Sequence, residues 1–200
     1  MATPVNSPIK AVILDCFGVL YVPTSEYLYQ SLLVNPSEHH DEIRDLVRQC
    51  DYGMISRETL YGSIARYTGR SLDDVRKFLS KDFTRNDALL DYVQSLRPLY
   101  KIGLLSNLGP NSMEQYFDRA QQAKLFDTVV VSSTVGMVKP NPEIFMYTCG
   151  KLGVDVSEAV MVDDVEENCI GAREAGLCAI QYESLQQATD ALNKILIDVV

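Results

Sequence analysis

The apolar run Ala11-Val12-Ile13-Leu14 passes straight into an acid, Asp15. No polar residue alternates with the apolar ones. Such a run suits a strand buried on both faces, as in a parallel sheet covered by helices on each side. Asp15 then falls at the carboxyl end of the strand, the edge at which open α/β sheets bind ligands. Gly18, three residues on, permits a sharp turn away from the sheet. The plain reading of this stretch is a strand closed by an Asx turn. The functional reading is a nucleophilic carboxylate, and the rest of the chain has to decide between them.

Downstream of residue 86, strand and helix patterns alternate. A helix over Asn86–Leu96 precedes a strand Lys101–Leu105 that ends in Ser106-Asn107. Asn111 and Glu114 have capping-box spacing, with Asn in place of Ser or Thr, and predict a helix to about Lys124. Thr128–Val131 reads as a third strand closed by Ser132-Ser133, and Gly136 and Lys139-Pro140 lie in the loop beyond. Asn141 followed by Pro142 reads as an N-cap and first helical residue, with Gly153 as the stop. A fourth strand, Ala159–Val162, again runs into acids, Asp163 and Asp164. A helix to Ala175 with Gly176 as its stop, a short strand Leu177–Gln181 and a tail helix over Ser184–Val199 complete the chain. Alternation of this kind predicts an α/β fold, a Rossmann-like parallel sheet sandwiched by helices.

Between residues 21 and 85 the strand-like runs give way to helical spacing. Ile43, Leu46, Val47 and Cys50 form one apolar stripe. Ser71 and Asp74 have cap spacing ahead of Val75, Phe78 and Leu79. The stretch exceeds what a simple strand–helix–strand crossover needs. It therefore reads as a small helical-bundle insert, with residues 1–20 and 86–200 as the α/β core and 21–85 as the insert.

Composition narrows the class. The chain has 200 residues, 46% of them hydrophobic, and a formal net charge of −9. It has no run long enough to span a membrane. The acidic balance argues against nucleic acid as a partner, because phosphate backbones require a basic face. Met1 to Pro8 lacks a basic-then-apolar signal pattern. The five cysteines form no C-x-x-C pair, so a cytoplasmic protein with reduced thiols is expected. Oligomeric state is not legible, and a monomer is the default.

In a parallel sheet the strand ends share one edge. That edge would gather Asp15, Ser106 with Asn107, Asp163 with Asp164, and Lys139 from the third strand's loop. Carboxylates from two strands repel unless a cation sits between them, and oxygen donors of this type suit Mg²⁺ with a phosphate substrate. Lys139 and the Ser106 hydroxyl can hold phosphoryl oxygens as charge builds on them. Asp15 can attack phosphorus and give an aspartyl-phosphate that water then cleaves.

These residues resemble the haloacid dehalogenase superfamily of hydrolases. Asp15-Cys16-Phe17-Gly18-Val19-Leu20 is similar to its first motif, D-x-D-G-[TV]-L. Ser106 matches the second, a Ser or Thr at a strand end, and Lys139 with Pro140 the third. Val162-Asp163-Asp164-Val165-Glu166-Glu167-Asn168 matches the fourth in its D-D-x-x-x-N form. The four motifs come in order, and the insert falls where the family carries its helical cap. The resemblance implies Mg²⁺ as cofactor and a small phosphorylated metabolite as substrate, possible sugar phosphates included. By the same resemblance Asp15 is nucleophile and metal ligand, the backbone carbonyl of Phe17 a second ligand, and Asp164 a third. Ser106 and the Asn107 backbone would hold the phosphoryl group, Lys139 would bridge it to Asp15, and Asp163 and Asn168 would support the ligands from behind.

One position departs from the pattern. The family's phosphatases usually carry a second Asp two residues after the nucleophile, as general acid and base, where this chain has Phe17. Dehalogenating members carry an aromatic residue there but generally lack paired acids in the fourth motif. A relative that only binds a phosphorylated ligand or a protein is the third reading. Asp163-Asp164 favours phosphate chemistry. Without an acid at position 17, the leaving oxygen departs unprotonated unless water or another group helps, which makes alkyl esters slow. Three other features read as structural. His39-His40 is a solvated helix face, Tyr52, Tyr61 and Tyr67 are packing residues, and Cys16 points away from its neighbour Asp15.

Overall fold

The computed structural model of the chain describes residues 8–23, 39–80 and 83–197. In chain order the strands are β1 (Ala11–Leu14), β2 (Tyr21–Pro23), β3 (Phe83–Arg85), β4 (Lys101–Ser106), β5 (Thr128–Val131), β6 (Ala159–Asp163) and β7 (Cys178–Gln181). The helices are α1 (His40–Asp51), α2 (Arg57–Thr68), α3 (Leu72–Ser80), α4 (Asp87–Leu96), α5 (Arg119–Leu125), α6 (Ser132–Val135), α7 (Pro142–Leu152), α8 (Glu166–Glu174) and α9 (Leu185–Ile197).

Five strands form one parallel sheet in the order β5-β4-β1-β6-β7. β1 is the middle strand, and all four of its residues are inaccessible to water. Successive side chains of a strand point to opposite faces, and here each face has its own core. Val12 and Leu14 pack with Ile102, Leu104, Val160 and Val162 beneath Leu89 and Val93 of α4 and Leu192 of α9. Ala11 and Ile13 pack with Leu105, Val130 and Met161 beneath Ile144, Phe145 and Cys149 of α7 and Ala172 of α8. Burial on two faces is the reason the run needs no polar alternation. At about 1.5–3 kcal/mol for each large apolar side chain withdrawn from water, β1 anchors the sheet. It also fixes the place of the residue that follows it.

The capping chemistry fell largely where expected. Asn86 accepts from Leu89 N–H, and Asn141 accepts from Glu143 N–H ahead of Pro142. The helix expected from Asn111 to Lys124 is divided. Asn111 lies in the left-handed region, with φ of 56°, which is not the extended backbone of an N-cap. A single 3-10 turn over Met113–Gln115 follows. α5 begins only after Asp118, which accepts from Gln121 N–H at 2.8 Å while Gln121 Oε1 accepts from Asp118 N–H at 3.0 Å. A complete reciprocal cap satisfies two orphan N–H groups and outcompetes the weaker Asn111 pattern. Ser132-Ser133 does more than close β5; it opens the short helix α6.

The insert is helical, as expected. α1, α2 and α3 share a small core of Ile43, Cys50, Leu60, Tyr61, Ile64 and Val75, with Leu46 and Val47 packed against it. Ser71 caps α3, accepting from Asp74 N–H at 3.1 Å. Tyr61 is buried, with its hydroxyl accepting from Arg57 Nε at 2.9 Å, and the Tyr67 ring lies 4.7 Å from that of His39. β2 and β3 pair antiparallel as the chain enters and leaves the insert. Among the described residues, no helix is long and apolar enough to cross a membrane. Expectations for Met1 to Ser7, for the side chains of His40, Phe78 and Leu79, and for the tail beyond Ile197 lie outside the described residues.

Candidate active site

Four loops at the carboxyl edge of the sheet supply the polar groups. The N–H of Asp15 still donates to Val162 O at 2.9 Å, so the residue is held in line with β1 and only its side chain leaves the sheet. Lys139 reaches in from the loop after α6. Its Nζ lies 2.9 Å from Asp15 Oδ1 and 2.6 Å from Asp163 Oδ2. All three side chains are buried. Asp163 Oδ1 also accepts from Val165 N–H at 3.0 Å and Asn168 Nδ2 at 2.9 Å. Both oxygens of Asp163 are thus engaged in fixing the lysine and the start of α8. Asp15 is different. Its Oδ1 takes Lys139 and the N–H of Cys16, at 2.6 Å, whereas Oδ2 carries no hydrogen bond among the described residues.

Asn107 holds the lysine from its backbone. Its Oδ1 accepts from Lys139 N–H and its Nδ2 donates to Lys139 O, both at 2.9 Å. The Asn107 side chain is therefore spent on positioning, which leaves its backbone for any ligand contact. Ser106, at the end of β4, is buried, and its Oγ has no hydrogen-bond partner. A buried hydroxyl without a partner costs about 1–3 kcal/mol, so the hydroxyl is poised for an acceptor that a ligand would bring.

Asp164 approaches from β6 toward the turn after β1. A side chain at Gly18 would begin 2.1 Å from Asp164 Cγ, and Gly18 has φ of +79°. Only glycine combines that backbone with that clearance. Oxygens of Asp15, Asp163 and Asp164 lie within 4.8 Å of one another. Burial pushes the Asp15 carboxyl up to about 7; Lys139 pulls it back, and the charges of Asp163 and Asp164 push further. Burial and Asp163 also raise Asp164. For Lys139, burial alone would lower the ammonium, but Asp15 and Asp163 outweigh it and hold its pKa above the ordinary value. Three carboxylates face one ammonium, so the site is short of positive charge. This donor set, all oxygen and anionic, suits Mg²⁺.

The Phe17 ring turns into an aromatic cluster, with centroids 5.0 Å from Phe83 and 4.8 Å from Tyr116. It offers no proton. Cys16 is buried in the core with Val12 and Leu14, and burial pushes its thiol up. Sequence reasoning missed two residues near the site. Ser132 is fully buried, and its hydroxyl donates to Asp51 O at 2.7 Å and accepts from Leu108 N–H at 3.0 Å, joining α1 to the core. Asp51, the last residue of α1, is half-buried; burial pushes its carboxyl up to about 6, with Lys139 pulling it back. Nothing in the sequence separates Asp51 from an ordinary acid at a helix end.

The model of the haloacid dehalogenase-like hydrolases matches residues 9–176, which includes the ends of β1, β4, β5 and β6 and the loops that follow them. The chain belongs to that family. A haloacid dehalogenase-like fold also appears among solved structures. A predicted HAD-like family hydrolase from Porphyromonas gingivalis superposes with a TM-score of 0.76 at 23% identity, over 96% of this chain and 99% of that one. A HAD family enzyme from Bacteroides thetaiotaomicron, in complex with magnesium and inorganic phosphate, superposes with a TM-score of 0.72 at 23% identity, over 90% and 98%. Among curated proteins, drimenol cyclase drtB of Aspergillus calidoustus is 26% identical over 197 residues, or 94% of this chain. The chain spans 36% of the length of that relative.

Proposed function

We propose that the protein is a Mg²⁺-dependent hydrolase of small phosphate monoesters, sugar phosphates among them, acting through an aspartyl-phosphate on Asp15. The observation that carries this reading is the charge imbalance. Asp15, Asp163 and Asp164 crowd within 4.8 Å of one another, against the single ammonium of Lys139. With Asp163 engaged by Lys139 and Asn168, Asp15, Asp164 and the Phe17 carbonyl remain to hold the metal. A metal there would neutralise the carboxylates and the phosphate so that an anionic nucleophile can approach an anionic substrate.

The chain's own residues do the rest. Ser106 Oγ, the Asn107 backbone and Lys139 grip the phosphoryl oxygens. Asp15 Oδ2 attacks phosphorus as the bond to the ester oxygen breaks, and water then hydrolyses the acyl phosphate and restores the carboxylate. Residues 21–85 act as a cap that excludes water and selects small substrates. The substrate is a small phosphorylated metabolite, and the net charge of −9 disfavours nucleic acid.

Phe17 favours one competing reading, a 2-haloacid dehalogenase. Asp164 weighs against it, since a third carboxylate pressed toward the nucleophile serves a cation and hinders an anionic haloacid. A screen over sugar phosphates, nucleotides, acyl phosphates and 2-haloacids, with and without Mg²⁺, tests the proposal. Mg²⁺-dependent phosphate release from small esters is expected. Metal-independent halide release, or a wide preference for phosphoproteins, would overturn it.

A further inference from the structure

Asp51 sits where an acid has little structural reason to be. It ends α1, and a carboxylate at a helix C-terminus opposes the negative end of the helix dipole. Its side chain makes no hydrogen bond or salt bridge among the described residues. The backbone around it, however, is pinned to the core with care. The Asp51 carbonyl accepts from the buried Ser132 hydroxyl at 2.7 Å. A side chain at Gly53 would begin 2.5 Å from Ser133 O, and one at Gly109 would begin 2.5 Å from Cys50 Sγ. The last turn of α1 is therefore clamped onto the loops that follow β4 and β5. Those loops carry Asn107 and Lys139, and the first follows directly on Ser106. Among the described residues, Lys139 is the charged group of the core that acts on the Asp51 carboxyl. Of the other groups around this contact, the Cys50 thiol is pushed up by burial and then by Asp51, with Arg57 of α2 pulling it back.

Phe17 leaves a task undone, and the nearest link from α1 to the site runs through Asp51, whose carbonyl shares the Ser132 hydroxyl with Leu108, the neighbour of Asn107. Asp15 stands at the end of β1, so in-line attack sends the leaving group away from the sheet, and α1 is the insert helix clamped to the loops of that edge. We propose that Asp51 is the acid and base of this site, protonating the departing ester oxygen and later deprotonating the water that cleaves phospho-Asp15. This role rests on the phosphatase reading above. In the first half-reaction Asp15 Oδ2 forms a bond to phosphorus, the phosphorus–ester oxygen bond breaks, and the Asp51 proton passes to that oxygen. In the second, water adds to phosphorus, its proton returns to Asp51, and the bond to Asp15 breaks to give inorganic phosphate. An acid held near 6 is partly protonated close to neutrality, which suits both halves. Supplying this group from the insert ties proton transfer to the seating of α1 on the core.

The test compares wild type, Asp51→Asn and Asp51→Glu on phosphate monoesters of graded leaving-group pKa, from p-nitrophenyl phosphate to simple alkyl phosphates. Each variant is first checked by thermal melting. Asp51→Asn is expected to lose about 10²–10⁴-fold on alkyl esters and far less in the phosphorylation step with p-nitrophenyl phosphate, where a burst should appear as phospho-Asp15 accumulates. Asp51→Glu should recover part of the alkyl activity. Carbon-13 NMR of the metal-free protein supplies a readout apart from turnover. A carboxyl resonance titrating near pH 6 should vanish in Asp51→Asn. An equal loss on all esters, no loss at all, or persistence of that resonance overturns the role of Asp51 and leaves the phosphatase reading standing. Failure of the wild type to cleave any phosphate ester overturns both.

Discussion

Gly18 carries more of the site than its size suggests. Its φ of +79° turns the chain away from β1, and its missing side chain makes room for the Asp164 carboxylate. Gly18→Ala would place a methyl 2.1 Å from Asp164 Cγ and force an L-residue into the left-handed region. The backbone penalty alone is about 1–3 kcal/mol. The variant is expected to lose at least about tenfold in Mg²⁺ affinity by isothermal titration and to melt earlier than wild type. An unchanged affinity would mean that Asp164 does not need its present position. Phe17 has the opposite character. Its neighbours Phe83 and Tyr116 make it a packing residue, so where the family's phosphatases usually carry an acid this chain has a contact between the turn after β1 and the ribbon that leads out of the insert.

At the scale of elements, the decisive contact lies between α1 and the loop after β5. One hydroxyl, Ser132 Oγ, links Asp51 O to Leu108 N–H. Arg57 of α2 adds a second link, donating to Gln115 Oε1 at 2.9 Å. The Arg57 link is exposed and is worth little by itself. The Ser132 hydroxyl is buried and its two bonds are part-buried, so its loss takes a partner from both Asp51 O and Leu108 N–H. Ser132→Ala should therefore cost about 1–3 kcal/mol in chemical denaturation. It should also increase amide hydrogen exchange at the C-terminal turn of α1 and around Leu108, with β1 protected as before. Protection unchanged at both places would show that the seating of α1 does not depend on this hydroxyl.

For the whole molecule the governing fact is concentrated negative charge. The chain carries a formal −9, and three of its carboxylates, two of them buried and one half-buried, meet in one site. The raised pKa of Asp15, from 3.8 to about 7, means that the metal-free fold favours the protonated acid. Its contribution to stability is fully present below about 3.8 and is lost as pH rises through about 7. Asp164 is shifted in the same direction. A bound divalent cation reverses the preference by stabilising the ionised forms. The melting temperature of the metal-free protein should thus fall relative to the Mg²⁺-saturated protein as pH goes from 5 to 8. At a metal concentration of 100 times Kd the stabilisation is about 2.7 kcal/mol. Asp164→Ala should remove most of the gap. A gap independent of pH, or one that survives in Asp164→Ala, would show that the cation binds elsewhere.

The buried run before Asp15, the order of the strand ends and the helical spacing between residues 21 and 85 were legible in the sequence. Each is a local signal: an apolar run, a cap, a turn glycine. Parallel α/β topology then brings such strand ends to one edge without further information. Ser106, Lys139, Asp163 and Asp164 could be named for that reason, and the structure gathers them with Asp15. The start of α5 was misread at Asn111 because two capping patterns compete within ten residues. Only the complete one, at Asp118, satisfies two donors. The division of labour among the acids was not legible either. Asp163 and Asp164 are neighbours with identical side chains; only the placement of Lys139, Val165 and Asn168 engages both oxygens of Asp163, and the proposed cation role therefore falls to Asp164. Asp51 lay wholly beyond the sequence. Its position depends on a long-range contact from α1 to Ser132, and contacts of that kind are set by packing, which no local pattern records.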